Sequence, residues 1–455
     1  MSLTSGDRPV SPLVEIVASQ KRGEARGLGS VCSSLRPVLE AAVQQALEDG
    51  APLLVESTCN QVNQFGGYSG LTPVAFVALV RSLANASGLP GARLVLGGDH
   101  LGPYPFRGEP AQSAMAKAAE MVRAYIAAGY RKLHLDASMR LADDPGEPRG
   151  PLDVQRIAER CADLCSAAEA AWAEARSEGG TDAEEPPVYV IGTDVPTPGG
   201  SNEVESAVHV TTASELQETI ETTRRRFLAG GLVSAWERVI AVVVQPGVEF
   251  GDQAIVAYDR RRSGGLIEAV RKTPRLVMEG HSTDYQTPRA LRELVEDGVA
   301  ILKVGPALSA AAREAVFLLA HVEEEICRLR AGLEPSGIGD ALEEAMIANP
   351  VHWQGHYTGD ENQRSFARRF SLLDRVRYYW GVPEVERAMA RLFSNLRAAP
   401  IPLPLLSQYL PQQHGRIRAG ALTNDPGAML RDRIREVLRG YSWAAGFQPG
   451  PKEGA

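Results

Sequence analysis

Leu94 to Pro103 read LVLGGDHLGP: a short apolar run, broken by two glycines, that delivers a carboxylate and an imidazole side by side. A buried strand running into a loop has this composition. Outward from it the pattern recurs, each apolar run ending in small or ionisable residues. The runs are 29–34 (GSVCSS), 52–57 (PLLVES), 93–98 (RLVLGG), 131–136 (RKLHLD), 188–194 (VYVIGTD), 238–245 (RVIAVVVQ), 274–279 (PRLVME) and 299–305 (VAILKVG). Helical periodicity marks 12–26, 36–49, 73–87, 111–128, a long stretch closing near Arg176, 213–228, 288–297 and 309–330, with Gly50 as a helix stop. Eight alternations of strand and helix predict a parallel sheet, and eight is the number that closes a barrel, whereas an open doubly wound sheet does not need that count. The expectation is an α/β fold, a TIM (β/α)8 barrel over residues 13–330, behind a mobile leader of residues 1–12.

From Leu333 the strand runs stop. Segments 338–348, 363–379, 385–396 and 425–441 read as helices, and Ile401 to Pro411 (IPLPLLSQYLP) as an extended proline-rich stretch. Residues 331–455 are therefore expected to form a helical C-terminal extension packed on the barrel or on a partner.

The 455 residues are 44% hydrophobic and 23% charged, an ordinary globular balance. A net charge of −8 gives no electrostatic grip on nucleic acid or an anionic membrane. No stretch approaches the ~20 apolar residues of a membrane span, and the N-terminus lacks a signal core, so a cytoplasmic protein is expected. The five cysteines (Cys32, Cys59, Cys161, Cys165, Cys327) show no zinc-type pairing and read as reduced thiols.

In a TIM barrel the chemistry sits where strands end. Those ends are Ser33/Ser34, Glu56/Ser57, Asp99/His100, Asp136/Ser138, Thr193/Asp194, Gln245, Glu279/His281 and Lys303. So many polar groups brought to one face are costly in a purely structural barrel, which argues for a functional site. Imidazoles mixed with carboxylates suit zinc, manganese or cobalt better than magnesium. His100 and His281, at strand ends on opposite sides of the barrel, are the candidate ligands. His134, His209, His321, His352, His356 and His414 read as structural.

The blocks ESTCNQVNQFGGYSG, GGDHLGP, HLDASM, IGTDVPTPGG, VVVQPGVEF, EGHSTDYQTP and ILKVGPAL, with RVRYYW and PIPLPLLSQYLP, resemble the D-tagatose-1,6-bisphosphate aldolase class II Z-subunit family. The resemblance spans roughly residues 12 to 445. It implies one of two roles: a tagatose 6-phosphate 4-epimerase, or the non-catalytic subunit that supports a class II aldolase chain. It also implies zinc-dependent TIM-barrel relatives, and so Zn2+, or Mn2+ or Co2+, as cofactor. A third possibility, another metal-dependent isomerase or lyase on a phosphorylated sugar, fits the ring of polar groups but not the whole-length resemblance.

By that resemblance Asp99 is the acid/base and His100 a metal ligand. Asp194 stands where the aldolases carry a glutamate ligand, and Glu203 resembles their mobile-loop acid. Gln245 and Glu279 replace two later histidines, with His281 two residues on. The implied metal set is His100, Asp194, Glu279 and His281, with Asp136 joining Asp99 and Glu203 in catalysis. Ser57, Asn60, Gln245, Ser282, Lys303 and Gly305 are the implied substrate and phosphate contacts, with Arg375 and Arg377 capping the mouth from the extension. The implied chemistry breaks and remakes the C3–C4 bond of a phosphorylated ketohexose. Lys303 is not read as a Schiff-base lysine. The chain is expected to be an oligomer.

Overall fold

The computed structural model describes residues 11–146, 150–179, 185–193, 208–330 and 332–448. Eight parallel strands close a barrel: β1 (Leu28–Cys32), β2 (Leu53–Thr58), β3 (Leu94–Leu101), β4 (Lys132–Leu135), β5 (Val188–Ile191), β6 (Val239–Val244), β7 (Val277–Gly280) and β8 (Val299–Val304). The last returns to the first, with Leu28 opposite Ile301 and Ser30 opposite Lys303. The TIM barrel read from the sequence is the fold. Runs such as VIAVVV form strands because β-branched side chains pack well on a pleat buried from both faces. Four of the connecting helices start at polar caps: Thr72, Asp153, Thr212 and Thr287 each accept the backbone N–H three residues on. Gly50 ends the helix Arg36–Asp49 at φ 66°, where a side chain is disfavoured.

Alternation divides the barrel interior into levels. The lower level is apolar: Leu28, Leu54, Val95, Val190, Val243 and Ile301 cluster with Leu13, Ile16 and Val17 of the entry helix α1 (Pro12–Lys21), which seals that end. The upper level is charged.

The extension is helical, as expected: Ile338–Ala348, Glu361–Phe370, Pro383–Arg397, Leu403–Tyr409, Pro411–Arg418 and Pro426–Ala444, although the single helix read over 363–379 stops at Phe370 and resumes only as a short turn, Arg375–Tyr378. The stretch 401–411 departs from its extended reading, because Pro404 falls in the first turn of one helix and Pro411 opens the next, positions that need no donated N–H. A helix at Gly264–Lys272 and a short antiparallel pair, Glu249–Phe250 with Ile255–Val256, also lie between β6 and β7. The helix Pro426–Ala444 packs against the barrel helices Arg36–Asp49, Pro288–Glu296 and Pro306–Leu329. Residues 1–10 of the expected leader lie outside the described residues. No described helix is long and apolar enough to cross a membrane, and all five cysteines are free thiols.

Candidate active site

Above the apolar floor, five charged side chains meet inside the barrel. Lys132 Nζ lies 2.7 Å from Glu56 Oε1 and 2.6 Å from Glu279 Oε2. Lys303 Nζ lies 2.8 Å from Glu56 Oε2, 3.0 Å from Asp99 Oδ1 and 3.5 Å from Glu279 Oε1. Ser30 Oγ donates to Glu56 at 2.7 Å. Room comes from Gly97, where a Cβ would stand 2.7 Å from Glu56 Cγ. Each buried charge costs several kcal/mol unless paired, so the layer persists only as a set. Burial works against ionising Asp99, but Lys303, His100 and His281 outweigh it and hold the carboxyl well below its usual range. Glu279 follows the same pattern, with Lys132 and Lys303 winning over burial. Lys303 is pushed above the ordinary lysine range against its burial, chiefly by Asp99.

At the mouth, β3 slips register against β4 between Gly98 and Leu101, and His100 takes φ 50°. This local strain lets two consecutive residues both reach the cavity. His100 Nδ1 is 2.8 Å from Asp136 Oδ2, and Asp136 Oδ1 accepts Ser138 Oγ–H at 2.6 Å. Burial opposes protonation of His100, but Asp99 and Asp136 raise its pKa. His281, beside Glu279 at 3.1 Å, is driven down to about 3 by burial.

His134 comes up from β4 with Nδ1 3.0 Å from Asp99 Oδ1. The His100 backbone N–H points at the same Nδ1 from 3.2 Å, so both contacts fall on that nitrogen and the far one is Nε2. That Nε2 is buried and has no partner among the described residues. Ligand atoms of Asp99, His134, Glu279 and His281 all lie within 4.8 Å of one another. Four carboxylates (Glu56, Asp99, Asp136, Glu279) face two ammoniums (Lys132, Lys303) here, so even with His100 protonated the site carries surplus negative charge. Two nitrogens, two oxygens, an orphaned imidazole nitrogen and that surplus fit a divalent ion.

Asp99 and His281 of the cluster line the floor of a cavity of about 500 Å³, with His134 and Glu279 buried beneath them. Asn60, Asp99, His100, His281, Ser282, Lys303, Gly305 and Arg377, all expected from the sequence, line it together. Glu279 lies in the layer below, and Asp136 backs His100. His100 is not among the four residues whose ligand atoms cluster: its Nδ1 is held by Asp136, and its Nε2 faces Asp99 Oδ2 at 3.8 Å. Asp194 and Glu203 lie outside the described residues. Ser57 does not line the cavity, because Glu56 takes the inward face of β2 and the next residue must point out. Its hydroxyl meets those of Tyr125 and Tyr130 at 3.1 and 2.9 Å. Gln245 is likewise corrected: its Oε1 accepts the N–H groups of Gly247 and Val248 at 2.8 and 3.0 Å, tying its own loop. Arg375 turns into the extension and donates to His352 O at 2.6 Å.

The roof comes from the extension. Tyr378 packs edge-on against Tyr68 at 4.4 Å, and the Arg377 guanidinium lies 4.6 Å from the Tyr378 ring. Arg377 Nη1 donates to Asp374 O at 3.0 Å, which fixes it over the cavity. Trp380 also lines the cavity, and its indole N–H has no partner among the described residues.

Sequence reading named Glu56 as a strand end without giving it a role, read His134 as structural and missed Lys132. The signal was present in RKLHLD, where Lys132, His134 and Asp136 alternate with Leu133 and Leu135 at a period of two. His134, read as structural, stands in the four-residue cluster instead.

Residues 13–446 match the model of a family described as D-tagatose-1,6-bisphosphate aldolase subunit GatZ/KbaZ-like. A crystal structure described as a probable tagatose 6 phosphate kinase from Sinorhizobium meliloti 1021 is 39% identical, with a TM-score of 0.82 over 92% of this chain and 100% of that one. More distant is a fructose-bisphosphate aldolase from Campylobacter jejuni, 11% identical, with a TM-score of 0.43 over 86% of this chain and 97% of that one. The fructuronate-tagaturonate epimerase UxaE from Cohnella laeviribosi is 10% identical, with a TM-score of 0.43 over 93% and 82%.

Proposed function

This chain belongs to the D-tagatose-1,6-bisphosphate aldolase subunit GatZ/KbaZ-like family, and from that premise we propose that it is itself an enzyme, a ketohexose-6-phosphate 4-epimerase acting on D-tagatose 6-phosphate in the cytoplasm. The observation that carries the reading is the buried set Asp99, His134, Glu279 and His281 under a cavity roofed by Arg377. A scaffold has no physical need to bury so much charge. The S. meliloti relative is named for tagatose 6-phosphate, which supports the choice of sugar.

Asp99, His134, Glu279 and His281 would hold a divalent ion, zinc by their mixed nitrogen and oxygen donors, and that ion would supply a Lewis acid for the ketose oxygens. The chain's own groups do the rest. Asp99 Oδ1 belongs to the floor, near His134 and Lys303, while Oδ2 turns toward His100 Nε2 at 3.8 Å. Oδ2 takes the proton of the C4 hydroxyl, the C3–C4 bond breaks, and its electron pair moves to the C2 oxygen as an enolate. Lys303 faces that developing charge. The aldehyde turns its other face and the bond re-forms, with the proton returned to the inverted C4 oxygen through His100, oriented by Asp136. Arg377, Asn60 and Ser282 bind the 6-phosphate, and Tyr378 and Trp380 keep the aldehyde fragment from leaving.

The test is to incubate the purified chain alone with D-tagatose 6-phosphate, with EDTA or with added Zn2+, Mn2+ or Co2+. D-Fructose 6-phosphate should form and EDTA should abolish it; no product under any ion defeats the proposal. The family description's word "subunit" favours a second reading, an accessory chain for a class II aldolase. Co-expression separates the two: a co-purifying aldolase whose activity rises with this chain, together with no product from this chain alone, selects the accessory role.

A further inference from the structure

The helix Pro306–Leu329 starts directly after β8, and in TIM barrels the loops after the last two strands and an adjacent helix N-terminus commonly seat a phosphate. Here a side chain of the protein already fills that position. Asp284 Oδ1 accepts the N–H of Gly305 at 2.9 Å and that of Ala307 at 2.8 Å. Asp284 lines the cavity beside Ser282, Ser309 and Arg377, and only 3% of it is exposed. No lysine or arginine comes within ion-pairing distance of it among the described residues. Among the described residues, Lys303 is the one lysine lining the cavity and is committed to three carboxylates, so Arg377 is the remaining fixed cation there for a phosphate.

A second phosphate brought to the end of β8 therefore finds its amide donors taken and a like charge fixed in their place. We propose that Asp284 is an internal anion that fills the second phosphate cradle and makes the site select ketohexose monophosphates over 1,6-bisphosphates. This deepens the epimerase reading above and rests on it for the identity of the sugar. The burial that raises the Asp284 carboxyl accords with a group held for something other than stability.

The test is equilibrium binding by calorimetry of D-tagatose 6-phosphate, D-tagatose 1,6-bisphosphate and inorganic phosphate to the full chain and to Asp284→Asn and Asp284→Ser. Asn keeps an oxygen for the two amides while removing the charge; Ser opens the cradle. Wild type should prefer the monophosphate by at least ~10-fold, because like charges set together cost that much or more. Both variants should shift the ratio at least ~10-fold toward the bisphosphate and tighten inorganic phosphate by a similar factor. Equal affinity of wild type for the two sugars overturns the proposal. So does an unchanged ratio and unchanged phosphate affinity in variants whose circular dichroism matches wild type. If wild type binds neither sugar, the epimerase reading fails, and the inorganic phosphate comparison alone decides the role of Asp284.

Discussion

Glu56 holds both buried ammoniums of the barrel, Lys132 on one oxygen pair and Lys303 on Oε2, and its side chain is wholly buried. Glu56→Gln keeps the volume and removes the charge, leaving two cations short of a counter-charge. Breaking a buried pair from one side costs about 3–5 kcal/mol, so we expect a loss of that order in urea denaturation. Asp284 carries the opposite sign of argument. Burial pushes its carboxyl up to about 6 despite the Ala307 and Gly305 amides. A carboxyl raised in the folded state stabilises it only below the unfolded pKa of about 4. That contribution is lost as pH rises through 6. Asp284→Asn should therefore be more stable than wild type at pH 8, by about 3 kcal/mol at most, and the gain should shrink between pH 7 and 5. Thermal melts across that range check it, and a gain that grows toward low pH would contradict the sign.

Among the elements, the strands were legible because parallel strands buried on both faces are apolar throughout, and VIAVVV or VAILKV admits few other readings. Asp99 and His100 were legible as a strand ending. What stayed hidden depends on direction rather than composition. Ser57 and Glu56 are neighbours, yet a period of two sends one into the barrel and the other against Tyr125. Arg375 and Arg377 sit in one turn, Arg375–Tyr378, whose tight winding aims the first at His352 and the second at the cavity. The entry helix α1 is the element with the clearest separate task. Leu13, Ile16 and Val17 cover the apolar end of the barrel, remote from the charged layer. Burial of each is worth about 1.5–3 kcal/mol. We expect a chain starting at residue 22 to lose about 5–8 kcal/mol of stability while the epimerase activity of the fraction that remains folded is kept. Denaturant midpoints and active-site titration would show both.

At the scale of the molecule, the extension belongs to the same core as the barrel. Leu396, Ile401, Leu406, Met429, Ile434 and Tyr441 share one buried cluster with Val31, Val38, Leu302 and Leu308. Tyr441 lies so close to β1 that a Cβ on Gly29 would stand 3.2 Å from its own Cβ, and its hydroxyl donates to Thr283 O at 2.8 Å. The helix carrying it bonds outward too, through Arg435 Nε to Gln45 at 2.9 Å and Arg433 to Glu314 at 2.7 Å. Cutting the chain after residue 332 would uncover the apolar faces of three barrel helices and remove Arg377, Tyr378 and Trp380 from the cavity roof. An exposed face of that extent promotes association. The full chain should melt in one cooperative step, and residues 11–332 alone should give aggregated material or no sharp transition in calorimetry. A truncated barrel that melted cooperatively would show that the roof is an added module, and the charged floor would then need no help from the extension to stay folded. Tyr441→Phe supplies the graded version of the same argument. It removes one buried hydroxyl and keeps the ring against Gly29, so about 1 kcal/mol should be lost without a second transition appearing.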